Sequence, residues 1–155
     1  MNRDRSNTSD EASAQCGPPA LVTTLLRLFG PAGPTPLLCR MRYSVDDPYA
    51  VALDLFGDPD TDICVTWVVA RDLLAGGTRR PSGEGDFRVW PSYQRVSEPA
   101  RLCFSLIGPG GHATFEADLT EVQHWLDATY ALVPSGTEHQ MIDWDALTAH
   151  WLDRK

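Results

Sequence analysis

With 155 residues, 43% of them hydrophobic, the chain has the length of one domain with its own core. Its formal net charge of −8 opposes a role in coating nucleic acid, because neutralising phosphates requires an excess of Lys and Arg. Its apolar runs are too short for a membrane span, and the N-terminus lacks the apolar segment of a signal peptide, so we expect a cytoplasmic protein.

The first part of the chain differs in composition from the rest. Residues 1–19 are polar and end in Gly17-Pro18-Pro19, which predicts a disordered N-terminal tail. From residue 20 onward, large apolar side chains alternate with turn-forming residues. We therefore expect a single folded domain over residues 20–155.

Short strands separated by turns make up most of that domain. Proline-rich and acidic turns over 30–36, 46–48 and 57–62 interrupt apolar segments, and a glycine-rich turn at 108–111 predicts a hairpin. The predicted strands are 20–29, 37–43, 50–56, 64–70, 87–90, 101–107 and 112–117.

The strand over 64–70 has large apolar side chains on both faces, with Val65 and Trp67 on one and Val68 on the other. This pattern predicts a strand covered on both sides, by a helix layer or by a neighbouring subunit. The residues after it, 71–74, are too few for a helix, so we predict a mobile connector over 73–85.

Two helices are predicted at the C-terminal end. Asp118 followed by Glu121 is a capping pair, and the apolar spacing predicts a helix to about residue 130 or 131. A second helix is expected from Asp143, with Trp144 and Trp151 on one side as a candidate interaction element. The fold class is therefore α+β, a mainly antiparallel sheet of about seven strands with two C-terminal helices.

Neither cysteine nor histidine spacing predicts a metal site or a disulfide framework. Three of the four cysteines fall in predicted strands, where we expect small buried side chains. The histidines are expected to be scattered on the surface. The cysteines are Cys16, Cys39, Cys64 and Cys103, and the histidines are His112, His124, His139 and His150.

No catalytic set is predicted either. Glu84 and Asp86 lie among glycines in a segment that lacks the lysine of a phosphate loop, which predicts a turn. His112, Thr114 and Glu116 share the outer face of the predicted hairpin, where we expect solvated positions without a nucleophile. We therefore assign no catalytic, cofactor-binding or metal-binding residue and expect no cofactor. A hydrolase that uses Glu84, Asp86 or His112 is the weakest alternative.

Five phrases of the sequence, in colinear order over roughly residues 20–140, resemble the SsgA-like family of sporulation and cell-division proteins from actinobacteria. Several separate phrases in the right order are more specific than any one of them. They are RYSVDDPYAV at 42–51, VTWVVARDLL at 65–74, GEGDFRVWP at 83–91, GPGGHATFEA at 108–117 and VPSGTE at 133–138.

The resemblance implies a non-catalytic adaptor that helps to select septum sites and brings the tubulin-like protein FtsZ to them. It also implies a homotrimer that binds family paralogues, recruitment from the cytoplasm to the division septum, and a fold similar to the Whirly-type single-strand-binding fold. The tail and the segments 58–62 and 93–99 do not match a family phrase. Which family member this is, and which residues contact partners, stay open.

The alternative function is single-stranded nucleic-acid binding. Arginines recur in the predicted strands, and Arg40, Arg42 and Trp90 would hold backbone and stack bases if they shared a sheet face. The negative net charge makes this alternative weaker. A low-salt titration with single-stranded DNA discriminates between the two, since an adaptor binds none.

Overall fold

A computed structural model describes residues 17–93 and 96–153. The elements in chain order are β1 (Leu21–Leu28), β2 (Thr35–Arg42), β3 (Ala50–Phe56), β4 (Cys64–Ala70), α1 (Arg71–Gly77), β5 (Phe87–Ser92), β6 (Arg101–Gly108), β7 (Gly111–Asp118), α2 (Leu119–Leu132), a 3₁₀ turn (Glu138–Met141) and α3 (Trp144–Leu152).

All seven strands belong to one sheet with the order β4-β3-β2-β1-β7-β6-β5, and every neighbouring pair is antiparallel. The predicted fold class is confirmed, and each predicted strand is present with its ends shifted by no more than two residues. Sequential strands pair within β1–β4 and within β5–β7, β4 and β5 form the two edges, and β1 pairs with β7 at the centre. The sheet therefore joins two meanders along one central pairing.

The strand β4 lies at the edge of the sheet. Val65 and Val68 are exposed and Trp67 is half-buried, so the prediction that the chain itself covers this strand on both faces is wrong. The apolar pattern was read correctly, but alternation along a strand does not reveal its place in the sheet order. Cover by a neighbouring subunit stays a prediction.

The sheet is strongly curled. Trp67 in β4 approaches Gly108 at the end of β6, where an added Cβ would lie 3.6 Å from its Cζ2 atom. The strands β4 and β6 are five positions apart in the strand order, so they would be about 24 Å apart if the sheet were flat. The curl gives the sheet an inner face that encloses the core and an outer face that points away from it.

The inner face and α2 form the hydrophobic core. Leu25, Met41, Leu53 and Val122 are all at most 1% exposed. Phe104 stacks on Phe115 with 5.5 Å between the ring centroids. Large side chains from several strands and one helix thus close a single core.

The helix α1 was not predicted, and the connector it occupies is packed rather than free. Leu74 is buried, and Gly77 lies so close to the Val89 side chain that no Cβ fits there. Ser82 then pairs with Val89 as an isolated bridge beside β5. Contacts with β4 and β5 therefore hold this short helix, whose glycine-rich sequence would not form one alone.

The helix α2 begins as predicted, because the Asp118 carboxylate accepts a hydrogen bond from the Glu121 N–H at 2.9 Å. Residues 1–16 of the predicted tail lie outside the described part of the chain, so the disorder of the tail stays a prediction. Residues 17–19 contact the domain, since the Trp125 indole N–H donates to the Pro19 carbonyl at 3.1 Å.

The helix α3 confirms the second predicted helix, with Asp143 accepting a hydrogen bond from the Ala146 N–H at 3.0 Å. It buries none of its residues. The side of α3 that carries Trp144 and Trp151 is exposed, which is unusual for aromatic side chains on a helix with an apolar stripe.

Candidate functional site

The outer face of β2 to β4 centres on the carboxylate of Asp54, which is only 2% exposed. Arg42 donates to both of its oxygens, at 2.7 and 2.9 Å, and Arg40 donates through Nε at 3.0 Å. The Thr66 hydroxyl from β4 adds a donor at 2.8 Å. Strand register explains the cluster, because Arg40, Asp54 and Thr66 lie side by side in neighbouring strands.

These donors stabilise the ionised form of Asp54. The hydrogen bonds from Arg42 lower the pKa of Asp54 far below its ordinary value of 3.8, and those from Thr66 and Arg40 add to the effect against the opposing effect of burial. The two half-exposed guanidinium groups thus share one buried negative charge. The cluster ties three strands together and keeps a net positive charge.

We expect Asp54→Asn to lower the free energy of unfolding by about 1.5–3 kcal/mol at pH 7, the range for hydrogen bonds to a charged group. Because the folded pKa is depressed, this contribution is complete above the ordinary value of 3.8 and disappears as pH falls through the folded pKa. Urea unfolding of both proteins should therefore show a difference that shrinks below about pH 4. Asp60→Asn, in an exposed turn, is the control. A difference of unchanged size near pH 2 would contradict this explanation.

Apolar side chains surround the arginines on this face. Val22 and Val68 are 59% and 65% exposed, and Leu38 is 48% exposed. Phe56 lies beneath Arg40, whose guanidinium carbon is 5.5 Å from the ring centroid. We call this surface the sheet patch. It consists of Val22, Leu38, Arg40, Arg42, Phe56 and Val68.

The other half of the outer face, on β6 and β7, corrects one expectation. Thr114 and Glu116 are buried rather than solvated, at 7% and 8% exposure. Arg101 lies 3.7 Å from a Glu116 oxygen, and Leu26 of β1 pairs with Glu116 in the register. Close packing of neighbouring strands covers these positions. His112 is exposed, as expected.

The structure divides the residues of the nucleic-acid alternative. Arg40 and Arg42 share the outer face, but both are bound to Asp54. By the strand register Trp90 shares this outer face, but it is in β5, four strands away from β2. A nucleotide backbone at the arginines would compete with Asp54.

The residues of the hydrolase alternative do not form a site. Glu84 and Asp86 are exposed on a turn in which Gly83 and Gly85 take positive φ, as predicted for that segment. His112 contacts Thr114 at 3.5 Å, and no hydrogen bond among the described residues joins it to either carboxylate. The hydroxyl beside His112, that of Thr114, is buried at 7% exposure, and His112 has no hydrogen-bonded carboxylate among the described residues.

Cysteine placement is mixed. Cys39 and Cys103 are buried, as expected, and burial, with the nearby Asp54 and Cys64, raises the pKa of the Cys39 thiol to about 12. Cys64 is exposed on the edge strand, so the expectation that it is buried is wrong. Within residues 17–93 and 96–153, no group of three or more His, Cys, Asp or Glu side chains is placed to hold a metal ion.

A buried guanidinium that the sequence did not reveal joins α1 to the C-terminal part of the domain. Arg71 is 1% exposed and donates to Glu138 at 2.8 Å and to the Thr129 carbonyl and the Tyr43 hydroxyl at 3.1 Å. It lies between the rings of Tyr43 and Tyr130, 4.9 and 4.0 Å from their centroids. This cluster is enclosed and connects elements, which is typical of a structural role.

Residues 37–138 match the family described as the Streptomyces sporulation and cell division protein SsgA. The chain belongs to the SsgA family. It is 44% identical over 122 residues to the sporulation-specific cell division protein SsgB of Frankia casuarinae, a match that covers 78% of this chain and 82% of the relative. It is 43% identical over 118 residues to SsgB of Streptomyces coelicolor, with 76% and 82% covered. The predicted family is confirmed.

Solved structures of family members share the fold. The crystal structure of an SsgA-like sporulation-specific cell division protein from Thermobifida fusca matches with a TM-score of 0.74 and 37% identity, over 87% of this chain and 96% of that one. A structure of SsgB, from work that relates its mutations to longitudinal cell division during sporulation of Streptomyces coelicolor, matches with a TM-score of 0.71 and 38% identity, over 79% and 93%. The family supports a role in sporulation division.

Members of this family are cell division proteins rather than recognised enzymes. The described helices include none that is long and apolar enough to cross a membrane. Among the described residues, the sheet patch, the edge of β4 and one side of α3 are exposed apolar surfaces.

Proposed function

We propose that this SsgA-family protein is a non-catalytic adaptor in sporulation-specific cell division. It assembles as a homotrimer, binds family paralogues, and brings FtsZ to selected septum sites. It acts in the cytoplasm and is recruited to the septum. The observation that carries this proposal is the large exposed apolar surface on a chain whose relatives are cell division proteins.

The edge strand β4 supports the paralogue-binding part of the proposal. It has seven residues, none of them charged and none proline, and no described strand pairs with its outer side. Soluble proteins ordinarily protect such an edge. The opposite edge, β5, contains Pro91 and is partly covered by the Ser82 bridge. The edge of β4 is therefore suited to strand pairing with a family paralogue.

The test of the adaptor role is sedimentation with FtsZ polymers assembled with GTP. The wild-type protein is expected to enter the pellet in proportion to FtsZ, and not when FtsZ is kept unpolymerised with GDP. In light scattering without FtsZ, its mass is expected to be three times that of the 17.1 kDa chain. A protein that stays in the supernatant under both nucleotides contradicts recruitment of FtsZ, whatever its own oligomeric state.

Localisation tests the same proposal in the cell. A fluorescent fusion in sporulating hyphae is expected to be diffuse before septation and to form regular ladders together with FtsZ. If ladders of FtsZ form normally in a deletion strain and the fusion stays diffuse, the protein does not select septum sites.

The nucleic-acid alternative has one observation in its favour, the side-by-side placement of Arg40 and Arg42 on an exposed face. If it is correct, single-stranded DNA binds at low salt and Arg42→Ala weakens that binding. We expect no binding, because the net charge of −8 repels a nucleic-acid backbone and the two arginines already share their charge with Asp54.

A further inference from the structure

The helix α3 has an exposed apolar side that none of the described residues buries. Trp144 and Trp151 are 54% and 68% exposed, and Leu152 is 77% exposed. Spacings of seven and eight residues place Trp151 and Leu152 on the same side as Trp144. The cap at Asp143 fixes where the helix begins. The helix lies beyond residues 37–138, the segment that matches the family.

The sheet patch matches this helix in size. From Trp144 to Leu152 the apolar stripe is about 12 Å long. The patch covers four strands, roughly 14 Å across, and four residues along them, roughly 13 Å. At one end it continues into a cleft of about 360 Å³ lined in part by Arg42, Ala52 and Val68. That cleft is large enough to admit an indole ring.

The charges match as well. Asp143 and Asp145 lie at the first turn of α3. On the patch, two arginines share the single carboxylate of Asp54, so this cluster carries one net positive charge, while one further carboxylate, Asp47, lines the adjoining cleft. A helix with acids at its start and tryptophans along its side therefore fits a surface of valines, leucine and arginine. An anionic membrane fits α3 less well, because its acids would be repelled.

We propose that α3 of one copy lies on the sheet patch of a second copy and inserts a tryptophan into the cleft beside Val68. This inference rests on the self-assembly in the proposed function and names the surfaces that form it. The contact is head-to-tail, with different surfaces on the two partners, so repetition closes a ring or extends a filament. Aromatic anchors in a pocket supply most of the affinity of such a contact.

The test uses two full-length variants with opposite defects. The first is the double variant Trp144→Ala and Trp151→Ala, which removes the two indoles of the helix. The second is the double variant Val22→Asp and Val68→Asp, which places charges on the apolar part of the sheet patch. All four side chains are more than half exposed, so the fold is retained. Analytical ultracentrifugation is expected to show that each variant associates roughly 30-fold more weakly than the wild type, or worse.

Mixing the two variants gives the decisive measurement. The first retains an intact patch and the second an intact α3, so an equimolar mixture is expected to form a 1:1 dimer that neither forms alone. The matched controls are His150→Ala, on the opposite side of α3, and Phe29→Asp, an exposed apolar position outside the patch. Both controls are expected to assemble like the wild type.

Three results would overturn the inference. A helix variant that assembles like the wild type shows that α3 is not the contact between copies. If that variant also fails to sediment with FtsZ, the partner of α3 is FtsZ and not a second copy. Two monomeric variants that form no dimer on mixing show that the helix and the patch do not meet. A wild-type protein that is monomeric at all concentrations removes the inference together with self-assembly, while FtsZ sedimentation tests recruitment separately.

Discussion

The variant Arg71→Met is expected to lose about 3–5 kcal/mol of unfolding free energy, the cost of removing one partner of a buried ion pair. Arg71 and Glu138 are 1% and 3% exposed, so the remaining carboxylate would be left without a counter-ion inside the domain. Domains of this size are stable by only about 5–15 kcal/mol, which makes this a large fraction of the total.

The loss has several physical parts. Without the guanidinium, the Tyr43 hydroxyl and the Thr129 carbonyl each lose a donor, and the two tyrosine rings lose the cation between them. The pKa of Glu138 is lowered by its own backbone N–H and by Arg71 and the Gly136 N–H. Removing Arg71 therefore raises that pKa and favours the neutral acid, which limits the loss.

Urea unfolding followed by circular dichroism measures the effect. Arg80→Met is the matched control, because that arginine is exposed in the same segment, and we expect a change within about 0.5 kcal/mol. Arg71→Met combined with Glu138→Gln is expected to recover part of the loss, since no buried charge then stays unpaired. Equal midpoints for Arg71→Met and Arg80→Met would show that the buried pair contributes nothing to stability.

The fold was largely predictable because its signals are local. Alternation of apolar residues, the proline and glycine turns, and the Asp118 capping pair each depend on neighbours within a few positions. In β3, such alternation puts Asp54 on the face opposite Leu53 and Leu55. Its burial there was not foreseeable, since the arginines that cover it come from the neighbouring strand β2.

What the sequence did not predict depends on long-range contacts. The helix α1 has seven residues and two glycines, and tertiary packing outweighs its weak propensity. The partners of Arg71 come from positions 43, 129, 130 and 138, and a lone arginine after a strand gives no sign of them. The edge position of β4 reflects strand order, which periodicity does not encode. Their helical spacing predicted Trp144 and Trp151 on one side of a helix, and both are exposed there. That they contact a partner stays a prediction.

The second large effect is expected at Trp125, where α2 meets the beginning of the domain. Trp125→Ala should lower the unfolding free energy by about 3–5 kcal/mol, because a buried indole is replaced by a cavity in the core. The side chain is 7% exposed, and its N–H donates to Pro19. Trp144→Ala is the matched control, since that indole is more than half exposed and should change stability by less than about 0.5 kcal/mol.

Trp125→Phe separates the ring from its hydrogen bond. It keeps most of the apolar volume and loses the donor to Pro19, so we expect a loss of only about 1 kcal/mol. Limited proteolysis of this variant should show faster cleavage near residues 17–20 with the remaining domain intact. If cleavage there is unchanged while Trp125→Ala is strongly destabilised, the indole contributes through core packing alone. The hydrogen bond then does not hold the start of the chain against α2, and the independently folded unit begins at β1.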